Sequence, residues 1–245
     1  MAVGLVYVNW NDFDAALFDL DGVLTPTAEV HMRAWQALFT DFLTKRGFVD
    51  QPYVENDYFA YIDGKPRYDG VRSFLASRGI TLPEGDPSDD PATETVCGLG
   101  NRKNLFFNAV LSDEGVLPYP GSVQLLDFLA GRGTKVAVVS SSKNARPVLE
   151  AAGIAERFEV VVDGNVGAQE HLPGKPAPDT FAYAAAQLGV PKDRAVVFED
   201  ALSGVEAGRA GRFGLVVGVD RGVGSERLIE SGADIVVSDL SELAE

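Results

Sequence analysis

From residue 118 to the end of the sequence one unit recurs: a short run of apolar, mostly β-branched residues, a turn, and a stretch with helical spacing. Strands are predicted at 136–139, 159–162, 195–198, 214–217 and 234–236, and helices at 122–130, 144–152, 179–188, 203–210 and 225–230. Apolar runs without polar alternation are strands covered on both faces, and the intervening helices supply the cover. This order constrains the chain to an α/β fold with a doubly wound, Rossmann-like parallel sheet. In such a sheet ligands gather beyond the carboxyl ends of the strands, so the residues just past each strand matter most.

An earlier run, Ala15-Ala16-Leu17-Phe18, reads as a further buried strand and leads directly into Asp19-Leu20-Asp21-Gly22. If extended geometry persists to Asp21, the period of two puts both carboxylates on one side. Two unpaired anions about 4 Å apart repel by roughly 4 kcal/mol at an effective dielectric near 20, so the pair calls for a cation. Oxygen ligands alone select a hard one, Mg²⁺ first. The bland alternative is an acidic turn, since Asp and Gly are common turn residues. An EF-hand is excluded, because Gly22 comes too early for the glycine that its loop requires.

The sequence between these parts is different in kind. Thr25-Pro26-Thr27 is a helix start with Pro26 at the first helical position. A helix is predicted over 28–45, with Ala34, Trp35, Leu38, Phe42 and Leu43 on one stripe and Gly47 ending it. Residues 52–108 continue as aromatic-rich helical pieces with a Pro/Asp/Gly-rich loop at 82–91. This is the pattern of an inserted α-helical domain. The predicted division is therefore 1–26 with 118–245 as the core domain and 27–117 as the insertion. Residues 5–8 read as an edge strand of no assigned task.

With 36 Asp and Glu against 21 Lys and Arg, the formal charge is −15. Nucleic acid and anionic membrane surfaces are poor partners for such a chain. A phosphorylated small molecule remains compatible, because charge is screened over about 8 Å and a local group of cations outweighs distant anions. Cys97 is the one cysteine and reads as a small packing residue, so no internal disulfide forms. There is neither a basic-then-apolar start nor an apolar run of about 18 residues. A cytoplasmic location and no membrane span are the expectation, and no oligomeric state is assigned.

The strand ends supply complementary chemistry. Asp19 and Asp21 come after the first strand. Ser140-Ser141-Ser142-Lys143-Asn144 comes after the second, a run of hydroxyls and a helix start able to meet an anion. Gly174-Lys175-Pro176-Ala177-Pro178 presents one lysine from a stiff loop, and Glu199-Asp200 ends a later strand. Acid, hydroxyl, cation and acid at four strand ends permit phosphoryl transfer to a carboxylate. Asp19 attacks phosphorus once charge is neutralised by Mg²⁺, held by Asp19, Glu199 and Asp200 on one side, and by Lys175 on the other. Ser140 holds a phosphate oxygen, and Asp21 protonates the leaving oxygen.

An Asp-x-Asp-Gly motif, a strand ending in serine, a Gly-Lys-Pro lysine and a terminal Glu-Asp, in this order, resemble the haloacid dehalogenase superfamily. The resemblance implies Asp19 as nucleophile, Asp21 as general acid and base, Ser140 and Lys175 on the phosphate, and Mg²⁺ on Asp19, the Asp21 backbone carbonyl, Glu199 and Asp200. It also implies that the insertion is a cap. Thr27-Ala28-Glu29, His31, Arg33-Ala34-Trp35, Ser140-x-Ser142-Lys143-Asn144 and Gly174-Lys175-Pro176-Ala177-Pro178-Asp179 are similar to the β-phosphoglucomutase-like subfamily. That similarity implies a small sugar phosphate as substrate, with Arg67, Lys143 and Asn144 on a distal phosphate and Lys103 recognising the sugar phosphate. His31 has two readings, a packing residue or a hydrogen-bonding partner of Asp21 or the cap loop. Arg67 and Lys103, taken alone, also read as parts of solvated polar patches. Three functions are compatible: a sugar phosphate mutase, a phosphatase on the same scaffold, and a catalytically silent binding subunit.

Overall fold

The structure is a computed structural model that describes residues 8–48 and 50–244. The chain divides into two compact units, Met1–Pro26 with Val116–Glu245, and Thr27–Gly115.

The first unit is a parallel sheet of six strands among the described residues: β1 (Ala15–Phe18), β2 (Lys135–Val139), β3 (Val160–Val162), β4 (Ala195–Glu199), β5 (Leu215–Val219) and β6 (Ile235–Val237). Their order is β3-β2-β1-β4-β5-β6, with every neighbouring pair parallel. The chain winds outward from β1 through β2 and β3, then from β4 through β5 and β6. The direction reverses between β1 and β4, which is the crevice where a doubly wound sheet takes its ligand. Ala15, Ala16, Leu17 and Phe18 are completely buried, as a central strand covered on both faces requires.

The helices of this unit are α5 (Pro120–Arg132), α6 (Ala145–Ala151), α7 (Gly164–Gln169), α8 (Asp179–Gln187), α9 (Leu202–Gly211) and α10 (Ser225–Glu230) in chain order after the insertion. Helix α5 begins on Pro120 and ends on Gly133 in the left-handed conformation, a start and a stop that residue type alone favours. Helix α7 has no counterpart among the helices that spacing predicts. Its buried N-cap Asp163 accepts from the amides of Asn165 and Val166, both at 2.9 Å, so the cap rather than an apolar stripe holds this short helix.

The second unit contains α1 (Thr27–Lys45), α2 (Glu55–Tyr61), α3 (Arg67–Ser77) and α4 (Val96–Glu114). The predicted stripe of α1 is buried and gains Phe39, whose ring stacks on Phe74 at 3.8 Å and Trp35 at 5.3 Å. Pro26 is not the first helical residue, because α1 begins at Thr27. The preceding turn is closed by Thr25 accepting from the Gly22 amide at 2.7 Å, which fixes where the helix can start. Helix α4 is capped by Thr95, whose hydroxyl accepts from Gly98 N at 2.9 Å. The hydrophobic core of this unit is drawn from α1 to α4 and their connections. Residues 5–7 of the predicted edge strand lie outside the described residues, and Val8 has no regular structure. Among the described residues no helix is long and apolar enough to cross a membrane.

Candidate active site

Three neighbouring strands end at one level. Phe18 is in register with Val138 on one side and Phe198 on the other, and Asp19 N donates to Phe198 O at 2.9 Å, extending the ladder by one bond. Parallel register therefore delivers Asp19, Ser140 and Glu199-Asp200 to the same end of the sheet. All four are buried.

Lys175 reaches this point from the loop before α8. Its Nζ lies 2.5 Å from Asp19 Oδ1, 2.5 Å from Glu199 Oε1 and 3.0 Å from Val139 O, and 5.0 Å from the centre of the Phe181 ring. Glu199 Oε2 accepts from the Ala201 amide at 3.1 Å. A buried ammonium is tolerable only when paired and hydrogen-bonded, and here it meets two carboxylates and a carbonyl. Burial pulls the Lys175 pKa down, but Asp19 and Glu199 together outweigh it and hold the ammonium above its ordinary range. Burial also lifts Asp19 well above the usual carboxylate range. Lys175 offsets part of that lift, and Glu199 and Asp21 add to it. The two shifts differ in cause: loss of solvent dominates at Asp19, and the attraction of two carboxylates dominates at Lys175.

Ligand oxygens of Asp19, Glu199 and Asp200 lie within 4.8 Å of one another. An all-oxygen set of this kind fits a hard divalent cation. The room around it is shaped by two glycines. A Cβ on Gly22, which has φ +84°, would stand 1.8 Å from Asp200 Oδ2, and one on Gly204 would stand 1.8 Å from Glu199 Oε1. The grouping differs from the expectation that a cation sits between the Asp19 and Asp21 side chains. Strand β1 ends at Phe18, and residues 20–25 turn back on themselves through Leu24 N and Thr25 N, which both donate to Leu20 O at 3.0 Å. The period of two stops there, and half-buried Asp21 stands outside the three-carboxylate group.

The serine run after β2 folds on itself. Ser140 Oγ accepts from Ser142 N, and Ser142 Oγ accepts from Asn144 N, each at 3.1 Å. The hydroxyl oxygens thus cap amides of their own loop, including that of Asn144, which as a bare helix start would be open to an anion. Gly164 N donates to Ser142 O at 3.1 Å and Asn165 Nδ2 to Lys143 O at 3.0 Å. The corner after β3 thereby holds Ser142 and Lys143; these and their neighbours Ser141 and Asn144 are all partly exposed. Nothing local in the sequence singles out Asn165.

In the helical unit the structure pairs Lys103 with His31 and Arg67 with Asn104. Lys103 is buried, bonded to His31 Nδ1, and lies 4.9 Å from the Phe107 ring centre and 5.3 Å from that of Trp35. The His31 ring stacks on Phe107 at 4.2 Å. Arg67 donates to Asn104 Oδ1 at 2.8 Å, and burial pulls its pKa down. Neither cation is the solvated surface group that its sequence neighbourhood alone indicates. Close approach of α3 to α4 explains this: a Cβ on Gly100 would meet the Tyr68 ring at 2.7 Å.

The family model of haloacid dehalogenase-like hydrolases matches residues 13–212. The chain is 50% identical over 237 residues to a β-phosphoglucomutase of Mycobacterium tuberculosis, covering 94% of this chain and 90% of that protein. It is 34% identical over 233 residues to a β-phosphoglucomutase of Bacillus subtilis, covering 94% and 91%. The crystal structure of β-phosphoglucomutase from Clostridium difficile superposes with a TM-score of 0.75 at 25% identity, covering 94% of this chain and 93% of the other. Taken with the buried Asp19, Lys175, Glu199 and Asp200 at the switch point of the sheet, these matches mean that the chain belongs to the haloacid dehalogenase superfamily, in its β-phosphoglucomutase-like branch, and is an enzyme of that superfamily's phosphotransferase type.

Proposed function

We propose that the chain is a Mg²⁺-dependent β-phosphoglucomutase that converts β-glucose 1-phosphate to glucose 6-phosphate through a phosphorylated Asp19. One observation carries this reading. The buried Asp19–Lys175 pair beside Glu199 and Asp200 occurs in a chain half-identical to relatives that bear that name.

In the proposed reaction an Asp19 oxygen forms a bond to phosphorus as the bond from phosphorus to the sugar oxygen breaks. Asp21 gives its proton to that oxygen and later takes the proton of the sugar hydroxyl that receives the phosphoryl group. Lys175 and Ser140 hold the phosphate oxygens, and burial of Asp19 keeps water from the phosphoenzyme. Asp19, Glu199, Asp200 and the Asp21 carbonyl would hold Mg²⁺, which offsets phosphate charge so that a carboxylate can approach. Arg67, Lys143 and Asn144 receive the distal phosphate of the bisphosphate intermediate. Lys103, held by His31, recognises the sugar phosphate, and the helical unit of Thr27–Gly115 serves as the cap.

The test is an incubation with Mg²⁺, β-glucose 1-phosphate and a trace of the 1,6-bisphosphate, following glucose 6-phosphate and free phosphate together. The expected outcome is glucose 6-phosphate in excess over phosphate. Free phosphate with little isomerisation makes the enzyme a phosphatase and overturns the mutase reading.

A further inference from the structure

Three successive carbonyls of the turn that carries Asp21 are each held from outside it. Gly22 O accepts from Arg221 Nε at 2.9 Å, Val23 O from the buried Ser122 Oγ at 2.7 Å, and Leu24 O from Tyr119 N at 2.9 Å. Two of these tethers are coupled, because the Arg221 guanidinium lies over the Tyr119 ring at 3.9 Å. Arg221 stands just past β5, two strands from β1. Its Nη1 donates to Ser238 O at 3.0 Å, and its Nη2 lies 4.0 Å from Asp239 Oδ2. The planar fork is therefore set by one loop on one edge and a ring on its face. An arginine fixed in this way defines a direction, which a lysine does not.

The carbonyl it grips belongs to the 22–23 peptide, one residue past Asp21. Gly22 is the residue directly after Asp21, has φ +84°, and packs with no room for a Cβ against the Asp200 carboxylate. Asp200 limits Gly22 on one side and Arg221 holds its carbonyl on the other, so the backbone from which the Asp21 side chain projects has little freedom to turn. We propose that Arg221 is a positioning residue that aims the Asp21 carboxyl at the sugar oxygen. The proposal rests on the assignment of Asp21 as general acid and base. It assigns no contact of Arg221 with the substrate.

The experiment exploits the leaving group. Phosphoryl transfer from glucose 1,6-bisphosphate to Asp19 expels an alkoxide oxygen that needs a proton. Transfer from acetyl phosphate expels acetate, which does not. Formation of the phosphoenzyme is measured in a single turnover with each donor, and the ratio of the two rates is the readout. A merely structural or metal-site defect slows both donors together and leaves the ratio unchanged. Asp21→Asn sets the scale, with an expected fall in the ratio of about 10²-fold or more. Arg221→Ala should lower it by about 10-fold or more, because misplacement by about 1 Å costs up to 10²-fold. Arg221→Lys should give a smaller fall, and since it keeps charge and reach it carries the test alone if Arg221→Ala does not fold. If Asp21→Asn lowers the ratio while the Arg221 variants leave it at the wild-type value, the positioning role is overturned and the Asp21 assignment stands. A wild-type ratio in Asp21→Asn itself removes that assignment, and this inference with it.

Discussion

Gly204 is defined by its surroundings: a methyl group there would overlap Glu199 Oε1 at 1.8 Å. Gly204→Ala must therefore push the carboxylate aside without removing any ligand. The expected result is a loss of Mg²⁺ affinity of about 10-fold or more, the range that changes next to a metal ligand commonly produce. Calorimetric titration with Mg²⁺ measures it, and an unchanged affinity means that Glu199 holds no metal. The same reasoning separates Lys175 from an ordinary surface lysine. Its ammonium is fully enclosed by Asp19, Glu199 and Val139 O, and the sequence marks only its stiff Gly-Lys-Pro setting.

The short helix α7 depends on its cap more than on periodicity. Helix α7 lacks any buried residue and starts from the buried Asp163, which supplies two hydrogen bonds of 2.9 Å. Asp163→Ala should cost about 1–2 kcal/mol of stability, the value of a lost N-cap, seen as a lower urea midpoint. A midpoint equal to wild type would mean that α7 stands without its cap. Because Gly164 and Asn165 hold the carbonyls of Ser142 and Lys143, the same substitution also loosens the serine loop. The long elements are more legible. The stripe Ala34, Trp35, Leu38, Phe42 and Leu43 is buried as its spacing requires, whereas α7 offers no stripe to read.

At the scale of the whole molecule, each of the two units has stacked aromatic rings in its interior. In one, Phe198 is fully buried and stacks on Phe18 at 4.6 Å and an interplanar angle of 7°. In the other, Phe39 packs on Phe74, Trp35 and Tyr53. Truncating either ring should cost about 3–5 kcal/mol, a large part of the stability of an ordinary domain. Hydrogen exchange separates the effects. Phe39→Ala should raise exchange in α1 to α4 and leave β1 to β6 protected, and Phe198→Ala should do the reverse. Equal loss of protection in both units would show a single cooperative core. The net charge of −15 acts at this scale on partner choice, while the local chemistry is decided by the few cations at the strand ends.

Short-range periodicity makes the long elements legible, the six strands and the helices with an apolar stripe but not α7, and with them a doubly wound parallel sheet whose loops after β1, β2 and β4 carry acid, hydroxyl and acid. Which of those groups meet was decided only by the tertiary structure. Lys175 and Asp19 stand 156 residues apart in the chain, and Lys103 and His31 stand 72 apart. Parallel register placed Glu199 and Asp200 beside Asp19, and the turn after Leu20 took Asp21 out of the carboxylate group that alternation alone would have put it in. The reason is physical. A strand's apolar run reports that it is buried, but its neighbours, its register and the partners of its last side chain are fixed by packing between distant segments, which leaves no local period to read.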